Sequence, residues 1–156
     1  MAKKGLKNIE FESKQLLSLY FKDKKKEFKA PIDPIDVLEY LGYSVEWVNG
    51  EINKGVYGGL YIGQKTVKIN NDIPLSEGME NFTIAHELGH LILHTSVEKE
   101  NKNSECSFDL DHQNKSIERE ADNFAACLLM PEAILKSVFY KIRKTPLMMK
   151  NKFFLR

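Results

Sequence analysis

Two histidines one helical turn apart constrain this chain more than any other feature. His86 and His90 enclose Glu87 in the pattern His-Glu-x-x-His. The surrounding apolar spacing predicts a long helix from about Glu77 to His94. On a helix the two imidazoles point the same way and can bind one metal ion, most simply zinc. Since two imidazoles leave a tetrahedral site incomplete, we expect a third protein ligand further along the chain, with the fourth position open to water.

Glu118 is the expected third metal ligand. It lies near the start of a second helical pattern, 116–130, which follows a polar connection long enough to reverse the chain direction. Asp122 follows one turn later on the same face, where it is placed to orient a ligating histidine. Glu120 lies about 200° around the helix from Glu118, so one ion cannot comfortably take both, and we prefer Glu118.

Glu87 supplies the general base that hydrolysis requires. Zinc lowers the pKa of bound water toward about 7, and Glu87 is placed to take that proton and pass it to a leaving amine. Peptide hydrolysis is therefore the natural reaction, although His, His and Glu can also hold manganese or iron. The group that stabilises the carbonyl oxygen is left open among four candidates, which are Tyr57, Tyr61, His94 and His112.

Three residues near these motifs have structural interpretations. We expect His94 to interact with the C-terminal end of the helix dipole rather than to bind the metal. Cys127 lies in an apolar helical run and is expected to be a small buried hydrophobe. Cys106 lies in a polar stretch, so the two cysteines are a poor basis for a disulfide and both should be reduced.

The rest of the pattern predicts an α+β fold with a small, largely antiparallel three-stranded sheet packed on helices. At 156 residues the chain is short for two domains, so we expect one domain over 1–156. Its N-terminal helical part should cover about 8–48, and the sheet and catalytic helices about 49–145. The expected helices are 9–28, 34–41, 77–94, 116–130 and 132–142, and the expected strands are 43–48, 56–62 and 66–69.

Charge and hydropathy argue against two classes of partner. Lys and Arg number 23 against 22 Asp and Glu, for a formal net charge of +1, so no global field attracts nucleic acid or an anionic membrane. No apolar stretch approaches the roughly 20 residues of a membrane span, and the N-terminus lacks a signal-peptide pattern. We expect a cytoplasmic protein with no direct contact to nucleic acid or membrane, and the oligomeric state stays open.

Two segments resemble the ImmA/IrrE family of metallopeptidases. Residues 82–94 and 118–131 contain its two helical motifs in the same order, and the hairpin 58–70 is similar to the strand region of the family. The chain departs from the family pattern near Glu80, where a basic residue is common, and in the stretch 136–156. Asp122 also differs, since it stands where many relatives have asparagine.

The resemblance implies a zincin-like, gluzincin-type core in which zinc is bound by His86, His90 and Glu118 and Glu87 is catalytic. It also implies the substrate, a helix-turn-helix transcriptional repressor that is cleaved or otherwise inactivated to relieve repression, commonly on mobile elements. Two alternatives are a metal-binding regulator that inactivates the repressor by binding without cutting, and a partner in a toxin-like two-gene module.

Overall fold

The computed structural model describes residues 5–98 and 115–144. Within them an α+β arrangement forms, as the sequence predicts, although the first helix begins earlier and ends earlier than expected. The third helix continues one turn beyond the expected end. The elements in chain order are α1 (Leu6–Asp23), α2 (Pro34–Tyr40), β1 (Ser44–Val48), β2 (Gly58–Tyr61), β3 (Thr66–Asn70), α3 (Glu77–Glu98), α4 (Lys115–Leu129) and α5 (Glu132–Lys144).

The sheet is mixed, and the prediction of a largely antiparallel sheet is wrong for one of its two strand pairings. β3 lies in the centre, in the order β1-β3-β2. β2 and β3 form the predicted antiparallel hairpin, whereas β1 runs parallel to β3, with Ser44 opposite Thr66 and Val48 opposite Asn70. Alternating apolar residues indicate which face of a strand is buried but not the direction of its neighbour, so the sequence pattern could not reveal this pairing.

Local capping signals determine where α2 and α3 begin. The Asp33 side chain accepts a hydrogen bond from the Ile35 N–H at 2.9 Å, and Pro34 occupies the first helical turn. Ser76 Oγ accepts from the Met79 N–H at 3.3 Å. Both contacts satisfy backbone donors that a helix start leaves without intrahelical partners.

The core is formed where α3 meets the sheet on one side and α4 on the other, while α1 packs against α4. Burying such aliphatic and aromatic side chains contributes roughly 1.5–3 kcal/mol each, so this packing determines where α3 and α4 lie relative to each other. The largest fully buried apolar side chains of α3 and α4 are Ile84, Leu88, Leu93, Phe124 and Leu128.

No helix within 5–98 and 115–144 is long and apolar enough to cross a membrane.

Candidate metal centre

Three side chains from two helices direct their donor atoms toward one point. His86 Nε2 lies 3.0 Å from His90 Nε2, both on α3. From α4, Glu118 Oε2 lies 3.2 Å from His86 Nε2, and Glu118 Oε1 lies 3.6 Å from His90 Nε2. One ligand atom from each of the three residues lies within 4.8 Å of the other two, so the group could hold a metal ion.

The spacing of these atoms fits a small cation. With metal–ligand bonds of about 2.0–2.1 Å, neighbouring ligands of a tetrahedral zinc ion are about 3.3 Å apart. The observed separations of 3.0–3.6 Å bracket that value. Two imidazole nitrogens and one carboxylate are also the donor set of several catalytic zinc sites, in which a fourth position stays open. The residues present therefore fit the metal that the sequence predicts.

A glycine allows the two helices to approach closely beside this site. A Cβ atom at Gly89 would lie 3.1 Å from both Cα and the carbonyl oxygen of Ala121 and 3.2 Å from Cβ of Phe124. Any larger residue at position 89 would press against the backbone of α4. Because Ala121 lies one turn after Glu118, this close approach also brings the Glu118 carboxylate within reach of the two histidines on α3.

The predicted orienting residue lies against the first histidine. Asp122 Oδ1 is 2.9 Å from Nδ1 of His86, so an Nδ1–H on His86 donates to the Asp122 carboxylate. That contact leaves Nε2 of the ring directed toward His90 and Glu118. The Asp122 side chain is 52% exposed, so water competes for its carboxylate.

At the candidate metal centre, burial and hydrogen bonding shift the pKa values of Glu87, Glu118 and His86. Burial raises the pKa of Glu87 to about 7. Hydrogen bonds from His86 and His90 hold the pKa of Glu118 below its usual range. Burial disfavours the charged form of His86, but its hydrogen bond to Glu118 and the nearby carboxylates outweigh this and raise its pKa. Glu118 is thus held as an anion, whereas the pKa of Glu87 lies near neutral pH.

Glu87 has an unusual environment for a carboxyl group. It is only 6% exposed, and it accepts a hydrogen bond from the backbone N–H of Leu60 in β2. Its Oε2 atom is one of two buried side-chain oxygen or nitrogen atoms without a hydrogen-bond partner in the described part of the chain. A buried acceptor left in this state is costly, so a hydrogen bond donated to Oε2 would be favourable.

A cavity of about 400 Å³ opens beside these groups. His86, Glu87, Glu118 and Asp122 supply its polar wall. The lining also includes side chains from α3 and from the segment before β2, which are Val56, Tyr57, Met79, Phe82 and Thr83.

The four candidates for stabilising the carbonyl oxygen are placed differently. Tyr57 lines the cavity, whereas Tyr61 and His94 are not among its lining residues. The Tyr61 ring instead lies 4.9 Å from the Lys68 ammonium. His112 lies outside the described residues, as does Cys106. Cys127 is partly buried, and that burial raises the pKa of its thiol.

His94 does not have the role expected from sequence. The expectation that it interacts with the helix C-terminus is wrong, because α3 continues to Glu98 and the His94 ring is buried between His90 and Glu120. The i, i+4 spacing of His90 and His94 on one helix face was the available signal for this contact. The sequence pattern presents Glu120 only as an alternative metal ligand, and it gives no signal that Glu120 is the partner of His94.

Comparison with known protein families gives a match over most of the chain. A family model, Peptidase_M78, described as the IrrE N-terminal-like domain, matches residues 41–150. That range includes the sheet, α3, α4 and α5, and hence every residue of the candidate metal centre. No curated protein matches the chain.

Proposed function

The chain belongs to the Peptidase_M78 family, and from this premise we propose that it is a zinc-dependent endopeptidase that cleaves or inactivates a helix-turn-helix transcriptional repressor. The observation that carries the proposal is the convergence of His86, His90 and Glu118 beside a buried glutamate, Glu87. Family membership supports peptidase chemistry, and the donor set supports a metal-dependent form of it.

Each residue of the site has a distinct role in this proposal. Nε2 of His86, Nε2 of His90 and the Glu118 carboxylate would hold the metal. When bound, zinc supplies Lewis acidity, which polarises a peptide carbonyl and acidifies water. Oε2 of Glu87 takes the proton from the attacking water and returns it to the amine of the leaving chain.

The environment of Glu87 suits both halves of that proton transfer. A general base works best when its pKa lies near the working pH, because the group must accept and then release a proton. Burial raises the pKa of Glu87 to about 7, and the hydrogen bond from the Leu60 N–H holds the carboxyl group in place. Oε2, which has no hydrogen-bond partner among residues 5–98 and 115–144, is the atom to which we assign the proton.

The cavity favours a flexible segment of the substrate over a folded surface. Its volume of about 400 Å³ accommodates a few side chains, and the peptide bond must reach the buried Glu87. Val56, Met79 and Phe82 give one wall an apolar character that suits an apolar side chain next to the cleaved bond. The choice of a repressor as substrate, and with it a cytoplasmic location, rests on the family resemblance.

The test compares the wild-type protein with Glu87→Gln, which keeps the size and polarity of the side chain but cannot act as a base. Glu39→Gln is the matched control, because Glu39 is exposed on α2, far along the chain from the site. Zinc content is measured for all three proteins. Each protein is then incubated with helix-turn-helix repressors encoded near its gene, and cleavage is followed by mass spectrometry.

We expect stoichiometric zinc in all three proteins, with cleavage by the wild type and Glu39→Gln only. Loss of the general base should lower the rate by about 10²–10⁴-fold. Zinc binding without cleavage by the wild type would contradict the peptidase proposal and favour a regulator that acts by binding. Absence of zinc from the wild type would contradict the assignment of the metal site.

A further inference from the structure

A buried chain of three side chains extends from the metal centre into the space between α3 and α4. Nδ1 of His90 lies 3.2 Å from Nδ1 of His94. Nε2 of His94 lies 3.3 Å from Oε2 of Glu120. His90, His94 and Glu120 are 1%, 7% and 6% exposed, so water has little access to these contacts.

The chemistry of the two ends determines where the protons lie. A carboxylate only accepts hydrogen bonds, so Nε2 of His94 must donate to Glu120. A neutral imidazole carries one ring proton, which makes Nδ1 of His94 an acceptor. Nδ1 of His90 must then be the donor. Where a metal takes the place of the proton that Nε2 of His90 directs at Glu118, the lone pair on Nε2 would bind it. That atom faces His86 and Glu118, where the metal is proposed to bind.

We infer that His94 and Glu120 are positioning residues for the metal: through the two hydrogen bonds, Glu120 orients His94 and His94 fixes His90 in the tautomer whose Nε2 binds zinc. This inference rests on the metal site of the proposed function. It adds a role for two residues that touch neither the metal nor the substrate. The partners of a ligating histidine commonly set both its orientation and its basicity.

The two histidine ligands are therefore oriented by different means. His86 contacts a carboxylate directly, and that carboxylate belongs to the largely exposed Asp122. His90 reaches a carboxylate only through a second imidazole, and all three groups are buried. Electrostatic interactions are stronger where water is excluded, so the buried chain should affect metal affinity more than the exposed Asp122 does.

The charge of Glu120 also links the chain to the metal. Burying a carboxylate is unfavourable unless positive charge or hydrogen bonds compensate for it. A divalent cation bound at His90 Nε2 supplies positive charge at the other end of the same chain. Linked through the His94 and His90 rings, Glu120 and the metal should therefore favour each other, so removal of the Glu120 charge should weaken zinc binding only while His94 is present.

The first test measures zinc dissociation constants by competition with a chromophoric chelator. The variants are His94→Phe, Glu120→Gln and the double variant, with Thr95→Ala as control, since the Thr95 hydroxyl bonds only the Leu91 carbonyl in the described contacts. We expect each single variant to weaken zinc binding by about 10- to 100-fold, as found for partners of ligating histidines.

The double variant distinguishes an effect of Glu120 that acts through His94 from two independent packing effects. If Glu120 acts through His94, the double variant should bind zinc no more weakly than His94→Phe alone, whereas multiplied losses would overturn the inference. Wild-type affinity in both single variants would also overturn it. If the wild type binds zinc and the variants bind it equally well, only the inferred roles of His94 and Glu120 are contradicted. Absence of zinc from the wild type contradicts the proposed metal site.

The second test needs no variant and so does not depend on how a variant folds. Long-range ¹H–¹⁵N NMR spectra of the zinc-loaded wild-type protein report which ring nitrogen of each histidine carries a proton. We expect the proton on Nε2 of His94 and on Nδ1 of His90. A proton on Nδ1 of His94 would overturn the inference, because that ring could then not accept from His90.

Discussion

At the scale of single residues, the candidate metal centre depends on which ring nitrogen of each histidine faces the proposed metal position. Both ligating histidines are proposed to use Nε2, and in each case the Nδ1 atom contacts another side chain. For His86 this partner is Asp122 at 2.9 Å, and for His90 it is His94 at 3.2 Å. Each contact favours a proton on Nδ1, which leaves Nε2 as the ring atom that would bind the metal.

The contact of Asp122 with His86 gives a prediction at this scale. Asp122→Ala removes the acceptor and should weaken zinc binding by about 10-fold, at the lower end of the usual range because the site is exposed. Asp122→Asn keeps a side-chain oxygen in the same position and should bind zinc nearly as well as the wild type. Chelator competition measures both, and equal affinities for the alanine and wild-type proteins would show that Asp122 does not orient His86.

At the scale of secondary structure elements, the distance between α3 and α4 determines whether the site can form. His86 and His90 lie on α3 and Glu118 on α4, so any separation of the helices moves a ligand. The close approach of Gly89 to Ala121 keeps this distance short. Gly58 has a similar position on the other side of α3, where a Cβ atom would lie 2.9 Å from Thr83 Cγ2.

Gly89→Ala should therefore weaken both folding and metal binding. The added methyl group would press on the α4 backbone, and such overpacking costs about 1–3 kcal/mol. The better helix propensity of alanine returns about 1 kcal/mol, so the free energy of unfolding should fall by about 1 kcal/mol. Urea denaturation of the metal-free protein measures the first effect, and chelator competition measures the second.

Gly78→Ala is the matched control for this prediction. Gly78 also lies in α3, but nothing is within 4 Å of the position that its Cβ atom would occupy. Its substitution should leave zinc affinity unchanged and the free energy of unfolding unchanged or slightly higher. If Gly89→Ala behaved in the same way as Gly78→Ala, close helix packing would not be what brings Glu118 to the histidines.

At the scale of the whole molecule, metal binding and folding should be coupled. The ligands come from two segments separated by residues 91–117, and in the unfolded chain nothing holds these segments together. An ion that binds all three ligands therefore binds the folded state in preference to the unfolded state. A metal bound there would join the helix that packs on the sheet to the helix that packs on α1.

Zinc should therefore raise the melting temperature of the protein. At a free zinc concentration 100 times the dissociation constant, the stabilisation is about 2.7 kcal/mol. For a chain of this size that corresponds to roughly 5–10 °C. Differential scanning calorimetry, with a chelator to reverse the effect, measures the shift. Glu118→Ala should lose most of the shift, and an undiminished shift in that variant would place the stabilising ion elsewhere.

Much of the local structure follows from the sequence alone. The period of the apolar residues predicts the helices, and capping residues such as Asp33 and Ser76 predict where two of them begin. The spacing of His86 and His90 by itself places their side chains on one face of α3, because helix geometry is local. For the same reason, Glu118 and Glu120 could be predicted to point in different directions.

The tertiary structure decided everything that depends on how separate elements meet. β1 runs parallel to β3, Gly89 packs against Ala121, and His94 contacts Glu120 across two helices. Periodicity describes one element at a time, whereas the direction of a neighbouring strand and the rotation of α4 against α3 depend on packing between distant parts of the chain. The sequence thus predicted the pair of histidines on one helix face and Glu118 as their carboxylate partner, while only the packing of α4 against α3 decided that Glu118 meets that pair and that Glu120 meets His94.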